Sequence, residues 1–266
     1  MKTMDHLKVI VPEKLYKYRS LGALESQFTL DIIEKCQLYW ACPHDFNDPF
    51  DCVPLQIFQG SKSQHLKRAK QAVQLFESDK PRAERRRALR SALKRKPSEI
   101  VAAMEDGNVK MLGKIGICSM TEKNDNMLMW SHYADSHRGI CLGFEHRMSM
   151  EAIELACAMK VSYDSQRPSM NAMLPAQGQD VINKLLLTKS EDWSYEVEWR
   201  LIHQDVGERL RPYPTSALTE IIFGIRTSEK DKLRVRDAVA SSNVCPKFYQ
   251  AQDDKKNFKV KIISIT

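Results

Sequence analysis

The sequence predicts an α+β fold, with a mixed, mainly antiparallel sheet core and a helical insertion over about residues 61–107. Three observations carry this expectation. Strand-length apolar runs and helical spacings follow one another without the regular strand–helix–strand repeat of a doubly wound sheet. Ser61–Gly107 has hardly any aromatic content and reads as helix between β-rich parts. Neither common Gly-rich phosphate loop occurs, and the chain has only ten glycines, which argues against a dinucleotide-binding Rossmann enzyme or a P-loop ATPase. Residues 1–266 are read as one α+β domain carrying that insertion.

Taken in order, Val9 to Ser20 reads as an extended arm entering a short strand, with Leu15, Lys17 and Arg19 alternating against Tyr16 and Tyr18. A helix follows from about Leu21 to Glu34, with Leu24, Phe28, Ile32 and Ile33 as its stripe. Gln37–Cys42 is β-rich and runs into the turn-forming segment Pro43–Asp51, where Phe46 and Phe50 are expected to anchor a polar loop. Two or three helices fill the insertion, with Pro81 and Pro97 at helix starts. Lys114–Thr121 reads as a buried strand, Met127–Ala134 as a short helix, and Ile140–Phe144 as a strand after the turn Asp135–Gly139. Strands are expected around Met159–Tyr163, Glu220–Gly224 and Phe258–Ile263, and helices at Asp180–Ser190 and Glu229–Ala240.

Charged residues make up 28% and hydrophobic ones 42%, the balance of a globular chain rather than a disordered one. No apolar run is long enough for a transmembrane helix, and Met1–His6 opens no secretory signal, so no membrane association is expected. Seven cysteines, an odd number with no Cys-x-x-Cys pair, argue against a disulfide framework or a zinc knuckle and for a reducing cytoplasm. Much of the net charge of +7 sits between Arg82 and Lys96, where eight cations face one acid, Glu84. Arg85, Arg86, Arg87 and Arg90 are the candidate nucleic-acid contacts; the competing reading is a solvated helix face. The run lacks interleaved aromatics, so base stacking is not supported.

The chemistry-bearing stretch is Trp193–Arg200, with two acids two residues apart between two tryptophans and an arginine closing the run. Read as an extended strand, it puts Glu196, Glu198 and Arg200 on one face and Val197 and Trp199 on the other. That pattern suits a solvated strand face with a cross-strand ion pair, or a cleft holding an acid pair. Asn47 and Asp48 are either turn chemistry or cleft lining at a strand end. In Trp130–Tyr133, a core aromatic with a hydrogen-bonded histidine competes with His132 and Tyr133 as ligand donors. His132 and His137 lie five apart, point to different helix faces, and do not suggest a metal site.

Five blocks occur in one order: Lys17–Ser20; Phe46–Asp51; Cys118–Ser119 with Met127–Ala134; Gly139–Phe144; and Tyr195–Arg200. In this the chain resembles the bacterial family called domain of unknown function 2971, whose name carries no activity. It also resembles ADP-ribosyltransferases, which carry a basic residue on an early strand, a Ser or Tyr on a middle strand and a late Glu, often as Glu-x-Glu. Arg19, Ser119 or Tyr133, and Glu198 match these in turn, although Cys118-Ser119-Met120-Thr121 only approximates the Ser-Thr-Ser run. The resemblance implies NAD as substrate and no metal. Arg19 would grip the dinucleotide, Glu198 would be catalytic, and Glu196 would orient or activate the acceptor. Ser119, His132, Tyr133, Asn47 and Asp48 would line the pocket. It implies a nucleic-acid or protein acceptor and, by analogy alone, a toxin or phage-defence role. Two alternatives stand beside it: a non-catalytic nucleic-acid-associated binding module, and an acid-cluster nuclease using Asp48, Glu196 and Glu198.

Overall fold

The computed structural model describes residues 12–145, 158–171, 179–203 and 209–265. The elements begin with β1 (Lys14–Arg19), α1 (Ser26–Glu34), β2 (Gln37–Tyr39), β3 (Leu55–Ile57), α2 (Lys62–Phe76), α3 (Arg82–Lys94) and α4 (Pro97–Leu112). Next come β4 (Gly116–Thr121), α5 (Met127–Tyr133), β5 (Ile140–Glu145), β6 (Met159–Lys160), β7 (Ser162–Asp164), β8 (Ser169–Asn171) and α6 (Gln179–Leu186). The last are β9 (Thr188–Ser190), β10 (Glu198–His203), β11 (Leu210–Pro212), β12 (Leu218–Phe223), α7 (Glu229–Ala240), β13 (Lys247–Asp253) and β14 (Val260–Ile265). The chain is α+β. It divides into two units: Met1–Cys42, Ile115–Tyr163 and Glu191–Thr266 form the first, and Pro43–Lys114 with Asp164–Ser190 the second. No helix among the described residues is long and apolar enough to cross a membrane. Val9–Val11 of the expected arm and Cys157 lie outside the described residues.

The first unit is built on an eight-stranded sheet of order β14-β13-β12-β5-β1-β4-β10-β6, antiparallel except for the β12–β13 pair. Its central strands are buried on both faces, so they read as near-continuous apolar runs: Ile140–Phe144 is buried throughout. Period 2 sorts the residues into two cores. Leu15, Cys118, Met120, Ile140, Leu142, Trp199 and Leu201 pack with Leu30 and Ile33 of α1 and Val235 and Ala238 of α7. Tyr18, Cys141 and Ile222 pack with Met129 and Trp130 of α5 on the other face.

The expected stripe of the first helix is corrected. Leu24 is 92% and Phe28 68% exposed, and the helix starts only at Ser26. Ile32 and Ile33 are buried as expected, and Ser26, Thr29 and Leu30 take the places expected of Leu24 and Phe28.

The second unit holds α2, α3 and α4, together with the parallel β3–β8 pair. Pro81 precedes α3 as its N-cap and Pro97 opens α4, where a missing N–H costs nothing. Ser61 caps α2 by accepting from the Gln64 backbone amide while Gln64 Oε1 accepts from the Ser61 amide, a reciprocal capping box. Phe50 does not anchor the Pro43–Asp51 loop: it is 61% exposed, under the Arg167 guanidinium 5.3 Å away. Buried carboxylates hold that loop, Asp48 accepting from the Phe50 amide at 2.8 Å and Asp51 lying 3.8 Å from Lys189.

The turn from α5 into β5 places Asp135, Ser136 and His137 at φ of 47°, 53° and 70°, three successive side-chain-bearing residues in left-handed backbone. Gly139 ends it where the backbone of β1 comes closest. A Cβ there would sit 2.1 Å from the Arg19 carbonyl oxygen, which is backbone and cannot step aside. We expect Gly139→Ala to destabilise the fold by about 3 kcal/mol, above most overpacking losses because the clash is with a strand. A denaturant midpoint unchanged from the parent would contradict this close approach.

Candidate functional site

Trp193–Arg200 is not one strand. Glu191–Glu196 forms a 3-10 turn, Val197 adopts a φ of 43°, and β10 begins at Glu198. A β-branched residue in left-handed backbone is strained by about 1–3 kcal/mol. Its effect is to break the alternation, so Glu196 leaves the row that Glu198 and Arg200 share.

Neither acid is solvated. Glu196 is 4%, Glu198 3% and Arg200 0% exposed. The expected cross-strand ion pair is instead a same-strand fork: Arg200 Nε donates to Glu198 Oε1 at 2.8 Å and Nη2 to Oε2 at 3.1 Å. Residues two apart on a strand face the same way, and the planar guanidinium matches both carboxylate oxygens at once. The backbone is fixed as well. Glu198 N donates to the Tyr163 hydroxyl at 2.8 Å, and its carbonyl accepts from Val161 N at 2.9 Å.

Asn126 ties α5 to this region. Its Oδ1 caps the helix by accepting from the Leu128 and Met129 amides, and its Nδ2 donates to the Tyr195 carbonyl at 2.7 Å. Two side chains of α5 then reach the 3-10 turn. Tyr133 Oη donates to Glu196 Oε1 at 2.6 Å, and His132 Nδ1 lies 3.0 Å from Tyr195 Oη. Beneath them Trp130 is fully buried, edge-on to Tyr18 with centroids 5.0 Å apart. His132 is exposed, Tyr133 partly so.

Register places the remaining candidates. Glu198 pairs with Thr121, Thr121 with Tyr16, Tyr16 with Gly143, and Gly143 with Glu220. Directly paired residues share a face, so this is one row across five strands. At its far end Glu220 accepts from Lys14 Nζ at 2.6 Å and Tyr16 Oη at 3.2 Å, and burial beside Glu220 pushes the Tyr16 phenol well above its usual pKa. Gly143 makes that meeting possible, since a Cβ would stand 2.9 Å from both Tyr16 and Glu220 side-chain atoms. Ser119 pairs with Arg200 and joins the same face.

Arg19 does not. It pairs with Ile140 and alternates with Leu15 and Lys17, so it belongs to the α1–α7 face, with β4 between its strand and β10. Its Nε is buried without a hydrogen-bond partner, and burial lowers its pKa. Ser119, His132, Tyr133, Glu196 and Glu198 are therefore brought to one face of the sheet and Arg19 to the other. Asn47 and Asp48 belong to the second unit, as do Arg85, Arg86, Arg87 and Arg90 of α3. Among the described residues, no group of three or more His, Cys, Asp or Glu side chains is poised to hold a metal. A cleft of about 450 Å³ lined by Lys14, Glu145, Ser216, Asn243, Lys247 and Tyr249 includes none of the sequence-predicted residues.

Sequence reasoning missed Tyr16, Thr121, Asn126, Tyr163 and Tyr195. Asn126 was findable: an Asn directly before a helical apolar run is a capping signal. The tyrosine hydroxyls were not, because their partners are far away in sequence.

The fold thus defines an α+β protein with a buried acid–arginine–tyrosine cluster between a sheet face and a capped short helix. The family model described as "Protein of unknown function (DUF2971)" matches residues 129–201, so the resemblance to that family is shown over the stretch that carries α5, β5 and most of the cluster. The blocks at Lys17–Ser20 and Phe46–Asp51 lie outside the matched residues, as do Cys118–Ser119 and the first two residues of Met127–Ala134. No curated protein and no solved structure matches the chain.

Removing one member of a buried ion pair strands the other. We expect Glu198→Leu and Arg200→Met each to destabilise the protein by about 3–5 kcal/mol. The double variant should lose less than the sum, with a coupling of roughly 1–3 kcal/mol in denaturant unfolding. Strict additivity would mean that the fork contributes nothing.

Proposed function

We propose that the α5-covered face of the sheet is the nucleotide-handling face of an ADP-ribosyltransferase-like enzyme acting on NAD. The observation that carries this reading is the order β1-β4-β10, which sets the early, middle and late strands side by side with Ser119 and Glu198 on one face. In such a reaction the bond from ribose C1′ to the nicotinamide nitrogen breaks, and its electron pair leaves with neutral nicotinamide. The acceptor nucleophile then bonds to C1′ and loses its proton. A carboxylate aimed at the developing ribosyl cation stabilises it electrostatically, the task assigned here to Glu198. The Arg200 fork holds both oxygens of that carboxylate and fixes its orientation. Glu196, held by Tyr133, is the second acid, positioned for the acceptor. Ser131, His132 and Ser194 at the margin of this face are exposed.

The geometry changes the assignment at Arg19. A residue on the opposite face cannot grip a dinucleotide bound beside Glu198, and Tyr16 and Tyr18 of β1 stand on the relevant side instead. The Arg200 fork favours a second reading, a non-catalytic binding module in which the acid pair is structural.

One assay separates them. Purified protein incubated with NAD should release nicotinamide. Glu198→Gln should lower the rate by about 10²–10³, the usual loss on removing one electrostatic stabiliser. Arg19→Gln should stay within roughly twofold of the parent, with circular dichroism checking that both variants are folded. No release by the parent, or equal release by parent and folded Glu198→Gln, sinks the enzyme reading.

A further inference from the structure

α3 carries six cationic side chains, Arg82, Arg85, Arg86, Arg87, Arg90 and Lys94, against one acid, Glu84. At 3.6 residues per turn these divide into different faces. Arg85, Ala88, Leu89 and Ala92 follow i, i+3, i+4, i+7 and are the half-buried positions, the stripe with which the helix packs in its unit beside α2. Arg85 is part of that stripe, its Nε buried without a hydrogen-bond partner. Arg82, Arg86, Arg90 and Lys94 form a separate ridge at i, i+4 spacing, and all four are exposed. The salt bridges near and within these helices, Lys80–Glu77 and Lys110–Asp106, involve none of them.

Like charges four apart on a helix repel one another and weaken it. A surface kept polar for solubility alone interleaves both signs. The ridge does not interleave them: it keeps one sign from Arg82 to Lys94, a length of about 18 Å with a cation roughly every 6 Å. Each strand of a duplex carries a phosphate about every 3.4 Å of rise, so the ridge spans around five nucleotide steps. α3 has no aromatic side chain, so it offers no stacking platform for the bases of a single strand. Phosphates are what remains for it to read.

We infer that the Arg82–Arg86–Arg90–Lys94 ridge is a phosphate-binding face for double-stranded nucleic acid, engaged without sequence preference. It rests on the second unit alone and is independent of the NAD chemistry proposed for the first. It also reassigns the sequence expectation: Arg86 and Arg90 stay as contacts, Arg82 and Lys94 join them, Arg87 is exposed but lies outside the i, i+4 ridge, and Arg85 becomes a packing residue.

The test is titration of the full chain against a labelled 20-base-pair DNA duplex at several salt concentrations. Four neutralised phosphates give a log–log slope near −3.6, or roughly 150-fold weaker binding between 50 and 200 mM salt. The variant R82Q/R86Q/R90Q/K94Q should bind about 100-fold more weakly at 50 mM with a slope near zero. Its melting temperature should be no lower than the parent's, because exposed like charges have been removed. Any one of four results overturns the inference: no duplex binding by the parent at 50 mM salt, unchanged binding by the folded variant, tighter binding to a single strand of the same length, or equal binding to polyglutamate.

Discussion

A carboxylate and a guanidinium enclosed together must repay several kcal/mol of lost hydration each, and they do so only when their geometry is close to ideal. Glu198 and Arg200 meet that demand through the strand itself. Spacing of two puts them on one face, and the fork binds both carboxylate oxygens. Much of the local architecture follows from keeping that pair dry. Tyr163 and Val161 fix the Glu198 backbone from the β6 side. Val197 takes a strained conformation so that the chain can turn from the 3-10 segment into β10. Asn126 then ties the helix that covers the face to the turn that precedes the pair.

The same geometry bears on chemistry. A buried, paired carboxylate is an unusual object on a sheet, and the residues around it are mostly tyrosines, which combine apolar bodies with polar tips. Thr121 and Tyr16 extend a polar row from Glu198 across the sheet, and Ser119 lies on the same face beside Arg200. Such a row invites a functional reading. It also stiffens the fold, which is why the enzymatic and structural readings share the same residues and differ in the task given to Glu198.

The fold class was legible because strand runs and helical spacings are local patterns. So were α5 and the helices of the second unit, where Pro81 and Pro97 marked two of the starts. The phase of the central motif was not. An unbroken alternation from Trp193 to Arg200 was the simplest reading, and only the left-handed Val197 shows that Glu196 and Glu198 belong to different elements. Burial also escaped the sequence, since charged residues on a strand ordinarily mean solvent. Arg19 shows a further limit. Its place in chain order fitted a ligand-gripping role, but which sheet face it occupies depends on β1 pairing Arg19 with Ile140, a contact across more than a hundred residues. Phe28 and Phe50 show a related limit: aromatic content does not fix burial, and buried aliphatics and carboxylates hold those segments.

Glu198 and Arg200 are enclosed and joined, and the Arg200 Nε proton reports on this directly. Its resonance should be resolved in ¹⁵N-edited spectra and exchange with water slowly, at a rate tied to opening of the fold. An Nε proton exchanging as fast as those of the exposed arginines on α3 would mean that the pair is solvated, and the enclosed site described here would not exist.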